Sequence, residues 1–179
     1  MKLRTLLLAA ISTMTGCGAT TTARLGLPEL KTVEYVDLER YLGTWYDIAS
    51  FPQRFQEGCT GTTATYSMRD DGLIDVYNRC RKGGLDGKED SARGRARVAD
   101  PATNSKLKVS FFGPFWADYW IVDLGEDYEY AVVGHPSRDY LWILAREPLL
   151  DKAVYDGILA RLDAQGYETD RLQRTLQAE

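Results

Sequence analysis

The chain has 179 residues, with 22 basic and 26 acidic side chains, a formal net charge of -4 and a hydrophobic content of 44%. This size and composition predict one soluble domain with a sizeable core. The mild acidity argues against nucleic acid as a partner, because nucleic-acid binding requires basic patches. A single histidine excludes metal sites built from several histidines. We expect neither a metal nor another cofactor.

The chain begins with a targeting segment. Lys2 and Arg4 precede a short apolar run at 6–11. That run is too short to span a bilayer, which requires about 20 apolar residues. We interpret residues 1–16 as a signal peptide.

The end of this segment, Met14-Thr15-Gly16-Cys17, resembles the processing box of bacterial lipoproteins. The resemblance implies that Cys17 is lipidated, and a plain secretory signal is the alternative. Gly18 rather than an aspartate follows the cysteine, which is similar to the outer-membrane sorting pattern. We therefore expect a lipid anchor in the outer membrane, facing the periplasm. Residues 17–33 would form the lipidated N-terminus and a tether, and residues 34–179 the domain.

A glycine and a tryptophan mark the start of the domain. A short helical lead-in at 36–41 runs into Gly43, where the backbone can turn sharply because glycine has no Cβ. Trp45 follows, and its buried indole N–H would need a partner. This tryptophan either closes an ordinary β core or plugs the floor of a barrel that is partly empty.

Short strand-like segments separated by turns follow at hairpin spacing, which is typical of an all-β barrel or sandwich. The predicted strands are 45–50, 59–69, 73–81, 91–99, 106–111, 119–124, 128–133 and 140–145. After Pro148, which suits a helix's first turn, the apolar period becomes four at Leu150, Val154, Ile158 and Leu162. This stripe predicts one amphipathic helix against the barrel wall, and 171–177 could add a last short strand.

Three short motifs resemble the signature regions of lipocalins. They are Gly43-Thr44-Trp45, the pair Asp139-Tyr140 and Arg146. The stretches 41–49, 63–67, 108–115 and 138–144 are similar to bacterial outer-membrane lipocalins, and the likeness covers about residues 34–176. It implies an all-β fold, an eight-stranded up-and-down antiparallel lipocalin barrel with one C-terminal α-helix packed on its wall. Gly43, Trp45, Asp139, Tyr140 and Arg146 would be fold determinants, with the Arg146 guanidinium stacked on the indole.

Alternation along the strands assigns one parity to the interior, and the resemblance decides the parity of the last strands. An eight-stranded barrel is wide enough to hold one small ligand or to fill with side chains. With the resemblance we favour a pocket for a fatty acid such as palmitate, or for a lysophospholipid; a dry core is the alternative. The predicted ligand contacts are Ala64, Tyr66, Val76, Asn78, Leu107, Val109, Phe111, Tyr119, Ile121, Val133, Tyr140 and Trp142.

Two further cysteines, Cys59 and Cys80, lie on either side of the Asp70-Asp71-Gly72 turn. In an oxidising periplasm they would pair. Two-residue hairpin counting does not place them opposite each other, so pairing requires a bulge or a looser turn. Two separate buried thiols are the alternative.

The function that this pattern favours is a binding protein that stores or transports a lipid in the cell envelope. His135, Ser137 and Asp139 are neighbours in a turn, which rarely supplies the ordered geometry of a catalytic triad. We therefore expect no enzyme activity. The alternatives are a lipid-modifying enzyme on the same barrel and a structural envelope lipoprotein with a filled barrel. A homodimer is possible.

Overall fold

A computed structural model describes residues 26–27 and 29–178. Within them, eight antiparallel strands form a closed barrel, because each pairs with the next and β1 pairs with both β2 and β8. The predicted barrel is therefore confirmed. Its strands are β1 (Gly43–Ser50), β2 (Cys59–Met68), β3 (Ile74–Lys82), β4 (Lys88–Val98), β5 (Lys106–Ser110), β6 (Ala117–Leu124), β7 (Tyr130–Gly134) and β8 (Leu141–Ala145).

The other elements lie before and after the barrel. Helix α1 (Leu38–Tyr41) leads into β1, and α2 (Lys152–Ala164) follows β8. Strand β9 (Gln173–Arg174) pairs with the last residues of β1. Single 3-10 turns occur at Arg54–Gln56 and Thr169–Arg171.

The up-and-down order gives the barrel two different ends. The β2–β3, β4–β5 and β6–β7 connections lie at the end where α1 enters, which we call the closed end. The loops 51–58, 83–87, 111–116 and 135–140 lie at the other end, which we call the open end.

Helix α2 covers the barrel wall, as predicted, but it begins later than Pro148. Its N-cap is Asp151, whose Oδ1 accepts hydrogen bonds from the backbone N–H groups of Ala153 and Val154 at 2.8 and 3.2 Å. A carboxylate that satisfies these amides starts the helix more effectively than a proline's fixed φ. Ile158 and Leu162 are buried, with Val154 partly buried beside them.

Two cores result from the alternation of side chains across the barrel wall. The outer core lies beneath α2 and includes Ile48, Val132 and Ile143. The inner core fills the closed half of the barrel around Trp45. Trp120 faces outward into the outer core, so its strand neighbours Tyr119 and Ile121 point into the barrel.

The disulfide between Cys59 and Cys80 is confirmed, with their Cα atoms 5.4 Å apart. Cys59 lies opposite Lys82 rather than Cys80 in the β2–β3 ladder. The register shifts between Thr60 and Thr63, where Gly61 has a φ of +56°. This bulge shifts the register by one residue and leaves the two cysteines as diagonal neighbours across the strand pair.

The N-terminal chain packs on the barrel before residue 34. Leu30 is buried in the outer core, and the Val33 N–H donates to the Ile121 carbonyl at 3.0 Å. Residues 30–33 thus belong to the domain, although the sequence pattern places them in the tether. The predicted signal peptide, 1–16, and Cys17 lie outside the described residues. None of the helices in the described ranges is long and apolar enough to cross a membrane.

Candidate functional site

The closed end of the barrel is sealed by Arg146 and Trp45. The guanidinium carbon of Arg146 lies 3.7 Å from the centroid of the Trp45 ring. Its two Nη atoms donate to the carbonyls of Arg40 (2.6 Å) and Thr44 (3.0 Å). The indole N–H of Trp45 donates to the Tyr41 carbonyl at 2.8 Å. The Arg146 guanidinium and the Trp45 indole N–H therefore each have a hydrogen-bond acceptor in the segment that leads into β1.

Gly43 makes room for this plug. Its φ is +94°, and a Cβ added there would lie 3.3 Å from Nη1 of Arg146. A side chain at this position would therefore strain the backbone and crowd the guanidinium.

Three tyrosines form a hydrogen-bonded cluster above the plug. The Tyr119 hydroxyl lies 2.7 Å from the Tyr41 hydroxyl and 3.0 Å from that of Tyr66. Desolvation by burial raises the pKa of all three phenols, that of Tyr66 to about 12. The hydroxyls are therefore uncharged at neutral pH and form a polar floor that carries no charge.

The closed half of the barrel is packed. The cavity beside the tyrosine cluster measures about 10 Å³, which is room for about one water molecule. In this half the dry-core alternative describes the interior correctly. Space for a lipid has to be found nearer the open end.

Most of the predicted contact residues do face the interior. Tyr66, Val76, Leu107, Ile121 and Val133 are buried in the inner core. Partly buried members of the same cluster are Ala64, Val109, Phe111, Tyr119 and Trp142. Asn78 shares their face because it pairs with Ala64 on one side and Ala92 on the other.

The inner face becomes accessible toward the open end. Ala92 faces inward by its register with Asn78 and yet is exposed. The Phe111 ring lies against Gly94, where an added Cβ would come within 2.8 Å of it. The inner face of the open half therefore has an exposed position at Ala92 and a large aromatic side chain, Phe111, packed against Gly94.

Tyr140 differs from the prediction. It precedes β8 rather than belonging to it, and it is 39% exposed at the open end. Its ring stacks on Trp142 with centroids 6.2 Å apart. It therefore lies at the mouth rather than within the barrel, in the same loop as Asp139. His135 is half-buried beside it, because its ring packs on Tyr140.

A buried carboxylate lies on the inner face of β1. Asp47 is 3% exposed, and its partner across the sheet is Leu144, a member of the inner core. Its Oδ2 accepts from Nε2 of Gln56 at 3.1 Å, and Oε1 of Gln56 accepts from the Trp142 indole N–H at 2.8 Å. Burial raises the pKa of Asp47 to about 6, although Gln56, Ser50 and Thr175 act to lower that pKa.

The C-terminal segment closes the seam where β1 and β2 separate. Direct β1–β2 pairing covers only the closed half, from Gly43 to Tyr46. Beyond it, the Thr175 N–H donates to the Ile48 carbonyl at 3.0 Å, and the Gly61 N–H donates to the Leu176 carbonyl at 2.7 Å. The chain end therefore acts as a short substitute strand at the open half.

A groove of about 440 Å³ runs along this seam between the loop 51–58 and the C-terminal segment. We call it the seam groove. This volume is within the usual range for small-molecule sites. Its lining includes Asp47, Ser50, Gln56, Thr62 and Thr175.

The rim of the open end carries exposed aromatic side chains. Phe112 and Phe115 are 80% and 77% exposed, and Phe55 is 65% exposed. Phe55 also stacks on Trp142, with ring centroids 6.5 Å apart. Apolar side chains grouped in this way at a cavity mouth indicate contact with an apolar partner.

The sequence analysis did not predict four residues of this site, namely Tyr41, Asp47, Gln56 and Thr62. Asp47 could have been noticed, because a carboxylate two residues after Trp45 shares its inward parity. Gln56 and Thr62 lie in a loop and a bulge, where alternation gives no direction. Within the described ranges, no group of three or more His, Cys, Asp or Glu side chains could hold a metal ion.

Comparisons with known proteins agree with this architecture. Residues 36–177 match the family model of the lipocalin-like domain. The chain is 43% identical over 142 residues to the outer membrane lipoprotein Blc of Citrobacter freundii, covering 78% of each chain. It is 38% identical over 160 residues to the temperature-induced lipocalin-1 of Arabidopsis thaliana, covering 84% of each.

Among solved structures, insecticyanin from the tobacco hornworm Manduca sexta superposes with a TM-score of 0.69. The two sequences are 24% identical, and the match covers 86% of this chain and 87% of the other. This likeness concerns the fold alone. The family match and the identity to curated relatives establish that the chain belongs to the lipocalin family.

Proposed function

We propose that this protein is a membrane-anchored lipid carrier that binds a fatty acid or a lysophospholipid in the open half of its barrel. It would store or transport that lipid in the cell envelope. The observation that carries the proposal is the accessible inner face around Phe111 and Trp142, above a packed and uncharged floor. Each buried CH₂ group of an acyl chain contributes about 0.8 kcal/mol, so a chain lying on this face binds with few polar contacts.

The proposed anchor is a lipid on Cys17 that holds the domain at the outer membrane, facing the periplasm. The processing-box motif supports this location, as do the relatives named outer membrane lipoprotein. Replacing Cys17 by serine tests it, because the variant would move from the membrane fraction to the soluble fraction. A wild-type protein that is already soluble after processing would contradict the anchor.

The binding proposal is tested by filling the open half. Ala92 faces inward, and Ser91 is its exposed neighbour on the outer face of the same strand. We expect Ala92→Trp to abolish binding of a fluorescent fatty acid and Ser91→Trp to leave that binding unchanged. Equal binding by both variants would show that the lipid does not enter the barrel.

Native mass spectrometry of the gently purified protein provides a second test, since a carrier would retain a lipid. A lipid-turnover assay that yields product would instead indicate a lipid-modifying enzyme. A homodimer remains a prediction, and sedimentation velocity would detect it. A protein that neither retains nor binds lipid would be a structural envelope lipoprotein.

A further inference from the structure

Three buried polar atoms on β1, β2 and β3 lack partners. Oδ1 of Asp47, Oγ1 of Thr62 and Oδ1 of Asn78 have no hydrogen-bond partner within residues 26–27 and 29–178. Most buried polar atoms in folded proteins are hydrogen-bonded, so several unpaired atoms in one region require an explanation.

Asp47 and Thr62 face each other across the seam. Nε2 of Gln177 donates to the backbone carbonyls of both residues, at 2.7 and 3.0 Å. Both side chains line the seam groove. Asn78 lies one strand further around the barrel, paired with Ala64. Asp47 and Thr62 therefore share the seam groove, whereas Asn78 lies outside its lining.

Neighbouring side chains satisfy the carboxylate only in part. Gln56 uses its amide nitrogen on Oδ2 of Asp47 and its amide oxygen on Trp142. The Ser50 and Thr175 hydroxyls hydrogen-bond the carboxyl and lower its pKa, yet Oδ1 itself accepts no hydrogen bond of normal geometry from the described part of the chain. Two cations, Arg54 and Arg174, also line the groove, and Arg174 stacks on Tyr155 at 3.4 Å.

The chemistry of these atoms selects the ligand. A carboxylate oxygen and an amide oxygen only accept hydrogen bonds, and a threonine hydroxyl both accepts and donates. A ligand hydroxyl would donate its proton to Oδ1 of Asp47 and accept from the Thr62 hydroxyl, and an ammonium group would donate to both oxygen atoms. A fatty-acid carboxylate would instead bring a second negative charge into a desolvated site beside Asp47.

We propose that Asp47 and Thr62 form a subsite in the seam groove for the hydrogen-bond-donating polar end of the bound lipid, a hydroxyl or ammonium group rather than a carboxylate. This inference rests on the proposed lipid-carrier function. The acyl chain would extend into the barrel past Trp142, whose indole N–H donates to the Gln56 side chain that also bonds Asp47.

The test compares monopalmitoylglycerol with palmitate, because the two lipids have the same acyl chain and differ in the polar end. Binding is measured at pH 7.5 by displacement of a fluorescent lipid. We expect the wild-type protein to prefer monopalmitoylglycerol by about tenfold, since truncating a charged hydrogen-bond partner changes affinity on that scale. Asp47→Asn introduces an amide donor, so it should weaken monopalmitoylglycerol binding, strengthen palmitate binding and bring the ratio close to one.

Thr62→Val provides the second variant and should weaken monopalmitoylglycerol binding only. Asp75→Asn is the matched control, since this exposed carboxylate belongs to an ion pair with Arg69. A preference for palmitate in the wild type, or a ratio that Asp47→Asn and Thr62→Val leave unchanged, would overturn the subsite while lipid binding stands. Binding of neither lipid by the wild type would overturn the carrier function and the subsite together.

Discussion

The guanidinium of Arg146 lies over the Trp45 ring, 3.7 Å from the ring centroid, and donates hydrogen bonds to the carbonyls of Arg40 and Thr44. One side chain thus joins the residue after the last barrel strand to the chain that enters the first. This contact therefore stabilises the closed end of the barrel, where the last strand meets the chain that enters the first.

We expect Arg146→Ala to lower the free energy of unfolding by about 2–4 kcal/mol, because it removes a cation–π contact and two charged hydrogen bonds. Urea denaturation measures the loss. Arg97→Ala is the control, since Arg97 stacks on Trp116 on the outer face, and it should cost under about 1 kcal/mol. Equal losses for both variants would argue against a special role for the plug.

Asp47 should make stability depend on pH. Its pKa is raised from 3.8 to about 6 in the folded protein, so the folded state binds a proton more tightly than the unfolded state. The contribution of Asp47 to stability is therefore greatest below about pH 4, and it is lost as the pH rises through 6. At pH 7.5 we expect Asp47→Asn to be more stable than wild type by up to about 3 kcal/mol.

The comparison of Asp47→Asn with wild type is made by thermal unfolding between pH 3.5 and 8, with Asp75→Asn as the exposed control. The difference between Asp47→Asn and wild type should shrink toward zero at the acidic end. A difference that stays constant with pH would mean that the Asp47 carboxyl titrates normally.

The disulfide closes a loop with a sequence separation of 21. Removing the disulfide raises the conformational entropy of the unfolded chain. We therefore expect the free energy of unfolding to fall by about 3 kcal/mol. Replacement of both Cys59 and Cys80 by serine should match wild type measured in a reducing agent. A double variant as stable as the oxidised protein would show that the bulge, rather than the bond, holds β2 and β3 in register.

The C-terminal segment should protect the seam. Gln177→Leu removes the two hydrogen bonds to the Asp47 and Thr62 carbonyls, which should cost about 1–2 kcal/mol locally. Hydrogen exchange would then accelerate at the amides of Gly61 and Thr175, which donate to the carbonyls of Leu176 and Ile48. Gln173→Ala, an exposed position in the same segment, should leave both exchange rates unchanged.

The aromatic rim should govern lipid uptake from membranes rather than affinity. We expect the double variant Phe112→Ser with Phe115→Ser to slow transfer of a fluorescent lipid from vesicles by about tenfold, because it removes the exposed apolar contact with the bilayer surface. Affinity for lipid supplied in solution should stay within about twofold. Tyr35→Ser, an exposed aromatic near α1, is the control. Unchanged transfer would exclude the rim from loading.

Local patterns predicted the strands well, because alternation and Asp-Gly or Gly-Pro turns act over a few residues. The start of α2 was predicted less well, since Asp151 competes with Pro148 for the first turn and its carboxylate satisfies two amides. The N-terminal domain boundary depended on burial of Leu30 against the wall, which no local pattern shows.

The sequence by itself determined the family, the eight strands, the plug residues and the parity that points Ala64 and Val76 inward, because these follow from short motifs and a period of two. Only the tertiary structure decided how much of the interior is empty. Barrel closure brings side chains from eight strands together, so their summed volume depends on contacts between residues far apart in the chain. The same closure placed Asp47 beside Thr62 and left their side-chain oxygens unpaired at the seam.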